Sequence, residues 1–158
     1  EFIRSRKQKQ DKHFAQVIRL AKFWVRNMKI EREGFRFKSF MVELIMAKLL
    51  DEGKDFSYYP EALQHFFTYV ANSNLDELIY FTDYYSQATI PTHNERIRII
   101  DPVNAKNNAA KLYTIEQAEA IIDAAIDAGD AIDAAMAAIT KQDTIYYWRK
   151  VFGPSFQI

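Results

Sequence analysis

Between residues 14 and 28 the apolar positions fall on one helical face. Phe14, Val17, Ile18, Ala21, Trp24, Val25 and Met28 recur at i, i+3, i+4 and i+7 spacing, which lines side chains along a single stripe of an α-helix. The spacing predicts an amphipathic helix there. Residues 1–12 are polar and basic with no periodicity, so they either extend this helix or fray as a tail. Ile30 to Phe37 is charged and interrupted by Gly34, the pattern of a loop. Lys38 to Leu50 is apolar nearly all round, apart from Glu43 and Lys48, and predicts a helix buried inside its domain. Gly53, after Asp51-Glu52, marks its C-terminal end. Tyr59-Pro60-Glu61 opens a third helix with proline in the first turn. That helix turns Leu63, Phe66, Phe67, Val70 and Ala71 inward and ends near Asn72-Ser73-Asn74.

The pattern then loses its helical period. Leu78-Ile79-Tyr80-Phe81 fits either a short strand or a helical turn, and Tyr84-Tyr85 to Thr92 is irregular around Pro91. Arg96 to Ile100 alternates weakly and reads as a short strand ending at Asp101-Pro102. Asp101 to Asn108 is dense in turn formers and predicts an ordered loop held by side-chain-to-backbone hydrogen bonds. Thr114, with Gln117 three residues on, carries a capping-box signal. The alanine-rich segment that follows, to Lys141, keeps Ile122, Ile126, Ile132, Met136 and Ile139 in helical phase across Gly129. One long helix with a close contact at Gly129 and two helices broken there both fit. Tyr146, Tyr147, Trp148, Val151 and Phe152 form an aromatic terminal turn before Gly153-Pro154. The fold class is therefore mostly α: one domain over 1–158, a bundle of about five helices with a short irregular or β-like insertion near 78–101.

Composition supports this reading. A chain of 158 residues with 49% hydrophobic residues can bury a sizeable core, and only four Gly and four Pro favour long regular elements. Cysteine is absent, which excludes disulfides, thiolate metal sites and a cysteine nucleophile and fits a reducing, cytoplasmic setting. No apolar run approaches the ~18 residues of a membrane span, so no membrane association is expected. The zero net charge hides a polarity: residues 1–50 carry 13 Lys/Arg against 5 Asp/Glu, and the rest 8 against 16. Either a basic surface awaits an anionic ligand, or the two halves neutralise each other across the fold.

The candidate chemistry sits in the basic part. Lys22 lies on the border of the first helix's apolar face, where its stem can follow the core and its ammonium can point into a cleft or simply into water. Ser39 is placed to cap the next helix, whose N-terminal amides, beside Lys38, offer a phosphate-binding geometry or a plain cap. Phe40 is either a stacking platform or core. Glu43, inside an apolar helix, needs a Lys, Arg or Tyr hydroxyl partner. Asn104 and Asn108 read mainly as loop-fixing residues. Asp123, Asp127, Asp130 and Asp133 share a stripe more consistent with a solvated face than a metal site, and His13, His65 and His93 lack metal-ligand spacing.

Four segments recur together in a known order: Arg19-Leu20-Ala21-Lys22-Phe23-Trp24; Lys38-Ser39-Phe40-Met41-Val42-Glu43-Leu44-Ile45; Arg98-Ile99-Ile100-Asp101-Pro102-Val103-Asn104 with Asn107-Asn108; and Trp148-Arg149-Lys150-Val151-Phe152-Gly153. Over nearly its whole length the chain resembles the C-terminal helical domain of the 2′-5′-oligoadenylate synthetase and cyclic GMP-AMP synthase-like nucleotidyltransferases, with the bacterial antiphage cyclases most similar. The resemblance implies a two-part enzyme. An N-terminal palm domain, whose Gly-Ser loop and carboxylates have no counterpart here, would bind Mg²⁺ and carry the chemistry. This chain would supply nucleotide-binding residues and no catalytic or metal-binding ones. On that resemblance Lys22 and Ser39 reach the phosphates of ATP or GTP and Phe40 stacks on the base; Lys38, beside the helix start, is added as a nucleotide-binding candidate from its position alone. Family members commonly carry Tyr at the stacking position, so Phe40 keeps the π-face without the hydroxyl. The synthetase branch has Gln where Ser39 stands, which tilts this chain toward the cyclases. The resemblance also implies an exposed face for the missing lobe, through which isolated copies could pair artificially. The competing reading is a stand-alone helical adaptor that binds protein or nucleic acid through its basic first helix.

Overall fold

A computed structural model describes residues 1–8 and 11–157, without the side chain of Asp11. Among the described residues the chain forms six α-helices and one short 3₁₀ turn: α1 (Phe2–Lys7), α2 (Asp11–Glu31), α3 (Ser39–Asp51), α4 (Tyr59–Ser73), the turn Gln87–Thr89, α5 (Ile115–Ala137) and α6 (Lys141–Phe152). None of the helices is long and apolar enough to cross a membrane.

The periodic segments fold as their patterns dictate. Phe14, Val17, Ile18, Ala21, Trp24, Val25 and Met28 are all buried along α2. Eight residues of α3 are buried, so it runs through the middle of the core. Pro60 lies in the first turn of α4, and Asn74 closes that helix in the left-handed conformation. Thr114 and Gln117 form the complete capping box of α5, and the Thr140 hydroxyl accepts the Asp143 N–H at the start of α6. The helix α5 crosses Gly129 unbroken, packing on α4 and α6. Gln64 of α4 donates to the Gly129 carbonyl at 2.9 Å, so the close-contact alternative is the one realised.

Several expectations are corrected. Residues 2–7 neither extend the first predicted helix nor fray as a tail but form a helix of their own, which makes six among the described residues. Phe2 and Arg6 of α1 are buried, with the Arg6 guanidinium over the Phe2 ring and paired with Asp51 and Asp83. Burial opposes that charge, but the hydrogen bonds that Arg6 donates to Asp83 and Asp51, with the attraction of both carboxylates, outweigh it and raise the Arg6 pKa. These tertiary contacts capture a segment that has no helical period of its own; residues 9 and 10 of the same stretch lie outside the described ones. Arg96 to Ile100 is not a strand. It contributes isolated bridges, Ile79 to Ile99 and Ile100 to Asn108, because only one or two residues on each side find a partner. Of the apolar positions in phase along this segment, Ile122 and Ile132 are buried, whereas Ile126 and Met136 are exposed and Ile139 lies beyond the end of α5, in solvent. The buried face is mostly alanine, which lets α5 approach its neighbours closely.

The Asp101–Asn108 loop is ordered by the predicted device. The Asn108 Oδ1 accepts the N–H groups of Ile99 and Ala110, both at 2.9 Å, and its Nδ2 donates to the Ile97 carbonyl at 2.7 Å. Asp101 accepts the Val103 N–H, and Asn104 accepts that of Lys106. Both candidate asparagines are thus engaged by their own loop.

Candidate nucleotide-binding edge

The predicted residues lie where α2 meets the start of α3. Lys22 forms an ion pair with Glu43, with their side chains 35% and 23% exposed. Glu43 is four residues after Ser39 on α3, so the two share a helix face one turn apart. The Lys22 ammonium is therefore delivered to the face that also carries Ser39. The partner that Glu43 needed is Lys22 itself.

Ser39 does not cap the helix. Lys38, in an extended conformation, occupies that position, and no side chain supplies a capping bond. The first helical bonds run from the Met41 and Val42 amides to the Lys38 carbonyl, which places the Ser39 and Phe40 amides ahead of the regular ladder. Ser39 and Phe40 are both exposed, Phe40 by 39%. The ring of Phe40 is accordingly available on the surface and is not sealed in the core.

Two further residues, invisible as a pair in the sequence, complete this edge. The backbone N–H of Lys38 donates to the Tyr113 hydroxyl at 3.0 Å, and the Arg36 guanidinium stacks 4.1 Å from the centroid of the Tyr113 ring. Lys38 and Arg36 alternate with buried Phe37 and Phe35, so the extended approach to α3 turns its apolar side chains inward and its cations outward. That alternation was the available signal for Arg36. Nothing local points to Tyr113.

The charge polarity is resolved partly by neutralisation across the fold. Arg6 pairs with Asp83, Lys48 with Glu77 and Arg32 with Asp127, each linking residues 1–50 to the later acidic part. At the α2–α3 edge, Lys22 pairs with Glu43, while Arg36 and Lys38 lie over the Tyr113 ring. No group of three or more His, Asp or Glu is placed to hold a metal among the described residues. Asp127 is held by Arg32, and Asp133 accepts from Gln64. His13 meets the Tyr59 hydroxyl, and His93 meets the Ala105 carbonyl.

A groove of about 710 Å³ lies elsewhere, between α2, α5 and α6, and is lined by Tyr146, Tyr147, Arg149 and Lys150. Trp24, which reaches its base, is about 200° around α2 from Lys22.

No protein-family model matches the chain. It is 62% identical over 99% of its length to the cyclic AMP-AMP-AMP synthase of Escherichia coli strain MS 115-1, and 34% identical over its whole length to the CBASS oligonucleotide cyclase CdnC of E. coli strain KTE188. It spans 49% and 46% of those proteins, about half the length of the curated relatives it matches. Among solved structures it superposes with a TM-score of 0.97 on E. coli MS115-1 CdnC, both in complex with HORMA-deltaN and with ATP, covering 99% of this chain and about half of the other. Taken with the order of its sequence segments and its helical fold, the chain is a homologue, over nearly its whole length, of about half of a CBASS oligonucleotide cyclase, which matches the 2′-5′-oligoadenylate synthetase and cyclic GMP-AMP synthase-like nucleotidyltransferases that its segments resemble.

Proposed function

We propose that this chain is the nucleotide-holding lobe of a nucleotidyltransferase that joins ATP or GTP into oligonucleotide second messengers of antiphage defence, and that it is inert without a catalytic palm domain. The observation that carries the reading is the delivery of Lys22 to the Ser39 face of α3, in a chain 62% identical to part of a cyclic AMP-AMP-AMP synthase. Lys22, Lys38 and the amides at the α3 start hold phosphate oxygens. A cation beside the positive end of a helix is a general anion-binding arrangement. The Ser39 hydroxyl adds a donor, and Phe40 offers its ring to the base. Glu43 restrains Lys22 and sets its reach; the lysine's three donors let it keep that bond while meeting a phosphate.

The chemistry would reside in the palm domain, with Mg²⁺ held there to stabilise the attacking and leaving oxygens. The outward stripe of α2, with exposed Phe23 and Ile30 among Arg19 and Arg26, adjoins Lys22 and is the face assigned to that domain. In isolation the same face is where copies would pair.

The test replaces the corresponding segment of the 62% identical synthase with this chain. The chimera is expected to form cyclic oligoadenylate from ATP, and Lys22→Ala and Ser39→Ala are each expected to raise the KM for ATP. A folded, active chimera whose KM ignores both substitutions would remove the site assignment.

A further inference from the structure

Tyr113 joins two parts of the chain that lie 75 residues apart in sequence. Its hydroxyl accepts the Lys38 backbone N–H, and the Lys38 ammonium lies 6.0 Å from the centroid of its ring. The guanidinium of Arg36 stacks on that ring and also donates to the Leu112 carbonyl at 2.9 Å. Leu112 adopts φ 69, a left-handed backbone uncommon for a branched residue, while its side chain points to solvent, 79% exposed. Its side chain therefore contributes little packing to offset that backbone. What the turn does achieve is to aim the Leu112 carbonyl at Arg36 and set the Tyr113 ring beside it.

The consequence falls on α3. Its first residues have no side-chain cap, so the direction in which the chain enters the helix is set by the bond from Lys38 to Tyr113. The amides of Ser39 and Phe40 follow immediately. An anion site made of backbone amides works only if those amides are held in place before the ligand arrives. Arg36 has five donors, of which one serves Leu112; stacking on Tyr113 holds the guanidinium plane and leaves its outer edge available to phosphate oxygens.

We infer that Tyr113 is a positioning residue for the phosphate site at the start of α3, and that Arg36, held on its ring, is a further phosphate-contacting cation of that site. The inference rests on the nucleotide-binding reading above and extends it by tying the segment before α5 to the α2–α3 edge. Tyr113 acts through Lys38 and the α3 amides and does not itself touch the nucleotide. Arg36 makes direct contact.

The test is a titration of the isotope-labelled chain with ATP at millimolar concentration, followed by backbone amide resonances. In the unsubstituted chain the Lys38, Ser39 and Phe40 amides are expected to shift. Tyr113→Phe keeps the ring and removes the acceptor of the Lys38 N–H; it is expected to weaken ATP binding about threefold to tenfold, the range that one hydrogen bond supports. Its melting temperature should stay close to that of a Tyr84→Phe control. Arg36→Gln is expected to weaken binding about tenfold and to flatten its dependence on salt, because one charged phosphate contact is gone. If Tyr113→Phe binds ATP as tightly as the unsubstituted chain, with the same shifts, the positioning role is overturned while the Lys22 and Ser39 reading stands. Absence of any response on α2 and α3 in the unsubstituted chain would bring down both. Should Tyr113→Phe fail to fold, Arg36→Gln decides alone: unchanged affinity and unchanged salt dependence would overturn the inference.

Discussion

Lys22 of α2 and Glu43 of α3 are paired across the two helices that form the candidate nucleotide edge. Both side chains are partly exposed, so the pair adds only about 1 kcal/mol or less to stability. Its worth lies in geometry: it fixes a flexible lysine on the Ser39 face of α3, where the proposed site puts a phosphate. Lys22→Ala should lower ATP affinity in the synthase chimera about tenfold to a hundredfold, the range of a charge-assisted bond, while urea unfolding of the chain shifts little. Glu43→Gln should leave Lys22 charged but less restrained, giving a smaller loss. A Lys22→Ala chain that unfolds far more easily yet binds ATP normally would assign the pair to the fold alone.

Trp24 is fully buried, edge-on to Phe35, Phe37, Phe66 and Phe67 at 4.8 to 6.3 Å between centroids. Its indole N–H finds no hydrogen-bond acceptor among the described residues. Trp24→Ala should therefore destabilise the chain by about 3–5 kcal/mol through the cavity it opens. Trp24→Phe should lose much less, because it removes an unpaired donor along with the ring area. Denaturant midpoints of the two variants check this; equal losses would show that the N–H is satisfied in solution.

Gly153 closes α6 at φ +98, and a Cβ there would sit 2.7 Å from the Asn27 Oδ1. Asn27 is buried and donates to the Val151 carbonyl, so it cannot withdraw freely. Gly153→Ala should cost about 2–3 kcal/mol from backbone strain and the displaced amide. Gly34 also has positive φ, but no atom lies within 4 Å of a Cβ there. Gly34→Ala should cost only about 1 kcal/mol. Comparable losses in thermal unfolding would mean that Asn27 moves aside.

Tyr69, Tyr85 and Tyr113 all hold their protons above the ordinary tyrosine value of 10.0, primarily because burial, nearly complete at Tyr113 and partial at the other two, strips water from each hydroxyl. Glu77 adds to the effect at Tyr69 and Asp101 at Tyr85, whereas the Lys38 N–H and Arg36 work against burial at Tyr113. A raised folded-state pKa favours the protonated native form. Its contribution is complete below the unfolded value and is lost as pH rises through the folded one. Stability with respect to these groups should thus be flat up to about pH 10 and fall above it. Thermal melts across alkaline pH, with tyrosinate absorbance followed in parallel, test this; normal ionisation of all nine tyrosines would refute it.

The sequence by itself determined the periodic elements, because their signals are local. The stripe from Phe14 to Met28, the all-round apolar run before Gly53, Pro60 and the Thr114–Gln117 box each lie within a few residues of the structure they specify. It also showed that Glu43 needed a partner, since a carboxylate in an apolar helix carries that requirement with it. Only the tertiary structure decided that the partner is Lys22, that Tyr113 holds Lys38, and that residues 2–7 fold as a helix anchored by Asp51 and Asp83. It likewise reduced the expected strand near Arg96 to isolated bridges. These outcomes depend on pairs brought together from distant positions, and a pair of single residues leaves no period in the chain from which it could be read.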